Sequence, residues 1–141
     1  MDFYFAPLEG ITGYLYRNAF HESFDCGIKK YFSPFIAMNK NGLMKSRELE
    51  DLKKQHNQGM VVVPQLLGSK GEEAVSYIRQ LKEMGYQEIN LNIGCPYQTV
   101  VSKGKGAGLL ADTNRLSNFL EEVFAKADIA VSVKTIVGME R

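Results

Sequence analysis

The sequence predicts an α/β protein of parallel strands joined by helical crossovers, and three observations carry that prediction. Strand-like and helix-like segments alternate about five times along the 141 residues, the order that parallel βα units require. Residues 61–63 are consecutive valines, the clearest strand signal in the chain. Residues 112–127 carry a strongly amphipathic helix pattern, with Leu116, Phe119, Leu120, Val123, Phe124 and Ala127 at helical spacing. Two architectures fit: an open doubly wound sheet, or part of a (β/α)8 barrel. Both place function at the carboxyl ends of the strands.

The first element is the aromatic run Phe3-Tyr4-Phe5-Ala6, expected as a buried strand ending at Pro7. After a turn at residues 8–10, Thr12 is a candidate N-cap for a helix to about Phe24, packed through Tyr16, Ala19, Phe20, Ser23 and Phe24. A second strand is expected over 29–32, halted before Pro34, with residues 33–47 irregular. Ser46 is placed to cap a short helix through Leu52. The valine strand follows, weakened near its end because Pro64 donates no ladder hydrogen bond. A helix over 71–84 sets Ala74, Ile78 and Leu81 on one face, and Gly85 closes it. Residues 88–92 alternate as a strand, which breaks at Gly94. Asp112 caps the amphipathic helix, residues 129–133 alternate as a fifth strand ending at Lys134, and residues 138–141 are a bare end.

The chain is 45% hydrophobic and 23% charged, with a net charge of +1. That is the composition of an ordinary globular domain with a real core; a dedicated nucleic-acid domain is usually more basic. No apolar run approaches the ~20 residues that span a bilayer. The amino terminus lacks the basic-then-apolar order of a signal peptide, so the expectation is a cytoplasmic protein with no membrane segment. Cys26 and Cys95 are far apart and read as free thiols, Cys26 as a structural one. His21 and His56 are isolated and no CxxC pair occurs, so no metal site is expected.

The candidate site residues Pro7, Gln65, Asn92, Cys95 and Lys134 each fall at or just beyond a predicted strand end. That coincidence is the internal argument for an active site. Cys95 could be a nucleophile, a general acid or a packed thiol, since free cysteine is among the most buried residue types. No histidine lies close in sequence to form a Cys/His pair. Lys134 could hold an anionic group or a carbonyl, or be a solvated strand-end lysine. Gln65 and Asn92 carry donors and acceptors suited to a planar heterocycle, although amides also commonly cap nearby backbone. Residues 104–108, Gly-Lys-Gly-Ala-Gly, lack the Ser or Thr that follows GK in a P-loop and read as a mobile lid. Lys40, Lys45, Arg47, Lys103 and Lys105 could rim an anionic substrate or form ordinary solvated surface.

Five segments, in order, resemble the tRNA-dihydrouridine synthases: APLEGIT from Ala6, PQLLG from Pro64, GYQEINLNIGCP from Gly85, VVSKGKGAGLL from Val100 and VSVKTIVG from Val131. INLNIGCP followed by the glycine-rich loop is the most specific part. The resemblance implies an FMN-dependent (β/α)8 barrel that reduces uridine to 5,6-dihydrouridine in tRNA, with NAD(P)H reducing the flavin. It implies hydride transfer from flavin N5 to uracil C6 and protonation of C5 by a loop cysteine, a role that falls on Cys95. It further implies flavin contacts at the backbone of Pro7 and Leu8 and at the side chains of Gln65, Asn92 and Lys134. Where the family often has Asp or Asn after the Thr of its first motif, this chain has Gly13.

A full barrel takes about 250 residues. The 141 residues are therefore expected to supply about five of its eight strands, as the N-terminal part of the catalytic domain, truncated before closure. The family's later flavin-phosphate loops, a further active-site histidine and the helical tRNA-binding C-terminal domain would then be absent. Outer strands left as open edges are expected to favour self-association or low stability, and FMN binding is expected to be weak. Two other readings share parts of the pattern. One is another FMN barrel oxidoreductase acting on a free pyrimidine, similar to dihydroorotate dehydrogenase. The other is a catalytically silent module kept for binding or assembly.

Overall fold

Five strands pair strictly in chain order in the computed structural model, which describes residues 1–24 and 27–137. They are β1 (Phe3–Phe5), β2 (Ile28–Ala37), β3 (Val62–Leu67), β4 (Glu88–Asn92) and β5 (Ala130–Lys134), all parallel. The helices between them are α1 (Tyr14–Ser23), α2 (Ser46–Asp51), α3 (Gly71–Glu83), α4 (Gln98–Val101) and α5 (Thr113–Lys126). A doubly wound sheet reverses direction at a switch point. Here every crossover steps the same way, so the sheet is a curled half-barrel, part of a (β/α)8 arrangement. Among the described residues no helix is long and apolar enough to cross a membrane.

The core lies between the sheet and the helices. Leu66, Ile89 and Leu91 of the strands meet Tyr77, Ile78 and Leu81 of α3 and Phe119 and Val123 of α5. Helix α3 ends as its glycine suggests. Gly85 has φ of 90°, and the Gly85 N–H donates to Lys82 O at 2.8 Å while the Tyr86 N–H reaches Leu81 O at 3.0 Å. Asp112 caps α5 through Oδ1, which accepts the Arg115 N–H at 3.0 Å. Phe124 is 53% exposed, so the buried stripe of α5 is narrower than the apolar pattern.

Several elements differ from the sequence reading. Strand β1 is not buried: Phe3 and Tyr4 stand exposed because β1 is an outer strand with a neighbour on one side only. Strand β2 does not stop before Pro34 but continues to Ala37. Phe32 pairs with Val63 and Phe35 with Gln65, so Ser33 and Pro34 together face the single Pro64. Both prolines thus sit in a bulge, where the regular ladder is interrupted anyway. There the Gln65 N–H donates to Ser33 Oγ at 3.1 Å. With its proline accommodated, β3 runs on to Leu67.

Helix α1 starts at Tyr14, and Thr12 does not cap it. The Thr12 hydroxyl instead closes on Leu8, accepting its N–H at 2.8 Å and donating to its carbonyl at 3.2 Å. The Tyr14 N–H is taken by Asp51 Oδ1 at 2.6 Å. Phe20 packs on Phe5, but Tyr16 and Phe24 lie exposed, and the residue of α1 that is fully buried is Arg17. Its guanidinium donates to Thr12 O, Asp51 Oδ2 and Asp51 O, each at 3.0 Å, and to Asn57 Oδ1 at 2.8 Å. Ser46 opens α2 rather than capping it; the Lys45 N–H donates to Glu48 Oε2 at 2.7 Å. Cys26 and residues 138–141 lie outside the described residues.

Candidate active site

Strand alternation turns Asn90 and Asn92 to the inner face of the sheet, opposite Ile89 and Leu91. The register sets Gln65 beside Asn90, Asn90 beside Ser132, and Asn92 beside Lys134. Gln65 lies within β3, not at its end as expected. A row of side-chain hydrogen bonds follows from this register. Asn92 Nδ2 donates to Gln65 Oε1 at 2.9 Å, Gln65 Nε2 to Asn90 Oδ1 at 2.8 Å, and Asn90 Nδ2 to Ser132 Oγ at 3.0 Å. The Ser132 hydroxyl donates to Ile89 O at 3.2 Å. At the other end Asn92 Oδ1 accepts the N–H groups of Gly94 at 3.2 Å and Cys95 at 3.0 Å. Gln65, Asn90 and Asn92 are all buried. A buried polar group without a partner costs about 1–3 kcal/mol, and this row supplies partners throughout.

The Asn92 carboxamide therefore builds the turn that carries the chain from β4 into Cys95. Cys95 is a free thiol, 7% exposed. The glycine-rich segment lies directly on it: the Ala107 N–H donates to Cys95 O at 3.0 Å. Gly106 has φ of 56°, and a Cβ on it would stand 2.7 Å from Cys95 O. The expected lid is thus a packed turn, corrected by its contacts. Residues Gly106–Ala111 form a 3-10 turn in which Gly106, Ala107 and Leu109 are buried, and Leu109 belongs to the main core. Lys105 Nζ fastens the same segment to Met38 O at 3.1 Å. The glycines serve close approach here rather than bending.

A cavity of about 420 Å³ opens on the inner face of the sheet, lined by Tyr4, Ala6, Pro7, Phe32, Asn90 and Lys134 among others. Its volume is in the range of small-molecule sites. Tyr4, Pro7 and Phe32 give it an apolar, partly aromatic wall, while Asn90 and Lys134 give it donors and an acceptor. That combination fits a planar heterocycle with one polar edge. Pro7 and Lys134 therefore share one concavity, and Gln65, Asn92 and Cys95 are joined by the amide row behind it. Leu8 is apart from both, 58% exposed, its backbone closed on Thr12. Of the five cations considered as a rim, Arg47 pairs with Glu9 at 2.9 Å and Lys105 is spent on Met38 O.

Sequence reading missed Asn90 and Ser132. Their signal was parity: Asn90 is two residues before Asn92, and Ser132 two before Lys134, so each shares the inner face of its strand. Arg17 was also missed, because a lone arginine in an amphipathic helix looks like its solvent face.

The dihydrouridine synthase family model matches residues 4–141. The chain is similar to the tRNA-dihydrouridine(20/20a) synthase of Vibrio parahaemolyticus, 36% identical over 76 residues, or 54% of this chain and 23% of that protein. It is 29% identical over 139 residues to a probable tRNA-dihydrouridine synthase of Staphylococcus aureus, covering 96% of this chain and 41% of that one. With tRNA-dihydrouridine synthase B of Pseudomonas syringae it shares 32% identity over 77 residues, 55% of this chain and 23% of the relative. The chain spans less than half the length of these relatives.

Proposed function

Because this chain belongs to the dihydrouridine synthase family, we propose that it forms the amino-terminal part of an FMN-binding barrel that reduces uridine to 5,6-dihydrouridine in tRNA, in the cytoplasm. The observation that carries this reading is the Asn92 carboxamide, which bonds Gln65 on one side and the Cys95 backbone on the other. It ties a ring-reading amide to a thiol in one rigid arrangement.

In this reading Tyr4, Pro7 and Phe32 form the apolar wall for the isoalloxazine ring. Pro7 offers it a backbone carbonyl, whereas the Leu8 backbone is already closed on Thr12. Gln65, Asn92 and Lys134 take its polar edge, with Lys134 supplying the positive charge. When bound, the reduced flavin supplies hydride to uracil C6, with NAD(P)H as its reductant. Cys95 supplies the proton: its S–H bond breaks as the C5–H bond forms, and solvent reprotonates the thiolate. The partner in this reading is tRNA.

Cys95→Ala tests this in the flavin-loaded protein. The visible flavin spectrum should be unchanged while dihydrouridine formation falls about 100-fold or more, the range for loss of a general acid. Unchanged turnover rejects the proton-donor role. A purified protein with no flavin absorbance rejects the flavoprotein reading.

A further inference from the structure

We infer that Ser132 and Asn90 are positioning residues: they anchor the far end of the amide row and, through Gln65, hold the Asn92 turn that carries Cys95. The functional meaning of this inference rests on the reading of Gln65 and Cys95 just proposed; its structural content does not.

A carboxamide has nearly the same shape either way round, so only its partners decide its orientation. The N–H groups of Gly94 and Cys95 can only donate, so Asn92 must turn Oδ1 to them. Its Nδ2 then faces Gln65, which must answer with Oε1. Gln65 Nε2 therefore faces Asn90, which must answer with Oδ1. Asn90 Nδ2 is left facing Ser132 Oγ, which must accept. The Ser132 proton then goes to Ile89 O. Every orientation is forced from the Cys95 end, and the row terminates on a hydroxyl that both accepts and donates.

Remove that hydroxyl and the terminal donor of the row has no acceptor. Asn90 Nδ2 then loses its partner, and the side chain is held through Oδ1 alone, by Gln65 Nε2. The slack passes along the row, from Asn90 to Gln65 and from Gln65 to Asn92, which then holds the N–H groups of Gly94 and Cys95 less firmly. The turn loosens at a thiol three residues past the end of a different strand from Ser132.

The test uses the full chain with Ser132→Ala, Ser132→Thr and Asn90→Ala. Two rates are read: amide hydrogen exchange at Gly94 and Cys95, and thiol modification of the Cys95 peptide, resolved by mass from that of Cys26. Exchange at Ile78, in the core face of α3, reports any global loss of stability. Ser132→Ala should raise both rates roughly 3–10-fold, the effect of one lost hydrogen bond, with Ile78 unchanged. Ser132→Thr keeps the hydroxyl and should stay within twofold of the parent. The double variant Ser132→Ala, Asn90→Ala should be no faster than Asn90→Ala alone, because the two act in series. The inference is overturned if Ser132→Ala leaves Gly94 and Cys95 unchanged, if Ser132→Thr behaves like Ser132→Ala, if Ile78 accelerates equally, or if the single effects add. Full turnover by Cys95→Ala would end the catalytic reading without touching these rates. Flat exchange rates beside an inactive Cys95→Ala would end the relay alone.

Discussion

Gly106→Ala is the perturbation whose effect the structure specifies most closely. Gly106 sits at φ of 56°, where an L side chain costs about 1–2 kcal/mol. The new Cβ would also lie 2.7 Å from Cys95 O, 2.9 Å from Val100 Cγ1 and 3.0 Å from Cys95 Cβ. Val100 can rotate away. The Cys95 carbonyl cannot move without giving up the Ala107 N–H at 3.0 Å, a loss of about 1 kcal/mol. The expected destabilisation is therefore about 2–3 kcal/mol. Gly10→Ala is the control: its φ is 78°, but nothing lies within 4 Å of where its Cβ would stand, so only the backbone cost of about 1–2 kcal/mol applies. Urea unfolding of both variants gives the two costs, and thiol modification of the Cys95 peptide reports displacement of the turn. Gly106→Ala should exceed Gly10→Ala by about 1 kcal/mol and make Cys95 more reactive. Equal costs and an unchanged thiol would refute the idea that close packing on Cys95 is what requires glycine there.

Asp51→Ala removes the carboxylate that holds both Arg17 Nη1 and the Tyr14 N–H; with Arg17 fully buried, the loss should be about 3–5 kcal/mol in urea unfolding. A loss below about 1 kcal/mol would mean that Asn57 and the backbone carbonyls hold Arg17 unaided. Burial pushes the Tyr86 hydroxyl up to about 12, against about 10 in the unfolded chain, and it donates to Leu52 O at 2.6 Å. Between these values the folded state keeps a proton the unfolded state has lost, so its contribution is complete below pH ~10 and is lost as pH rises toward ~12, by about 2–3 kcal/mol. Tyr86→Phe should remove that part of the alkaline limb, at about 1 kcal/mol of stability near neutral pH; parallel pH–stability curves for the two proteins would contradict it.

The strand-helix order, the α3 and α5 stripes and the Gly85 stop were legible because each rests on a local signal: period, cap or turn residue. The elements misread depended on tertiary context. Pro34 looked like a strand end because a proline usually is one, and only the pairing of β2 with β3 places it in a bulge opposite Pro64. Residues 104–108 looked mobile because glycine permits bending, and composition does not tell bending from close approach. Phe3 and Tyr4 looked buried because their exposure depends on which strand is outermost. Of the candidate site, Gln65, Asn92 and Cys95 could be picked out individually, but their connection could not. It passes through the Asn92 carboxamide, whose partner Gln65 lies 27 residues away in sequence.

The same strand periodicity explains why β4 can serve folding and a polar site together. Ile89 and Leu91 lie under the helices, while Asn90 and Asn92 face inward. The inside of a (β/α)8 barrel is ordinarily filled by bulky branched side chains, so an amide row there gives up apolar burial. It is tolerable only if complete, since a half-satisfied buried network is worse than an apolar one. Completeness in turn demands register. A slip of β4 by one residue would turn Ile89 and Leu91 inward and press both asparagines against α3 and α5, losing the core and the row at once. The hydrophobic face thus holds β4 in the one register that aligns Gln65, Asn90 and Ser132. That alignment leaves Asn92 Oδ1 as the acceptor around which the chain turns into Cys95.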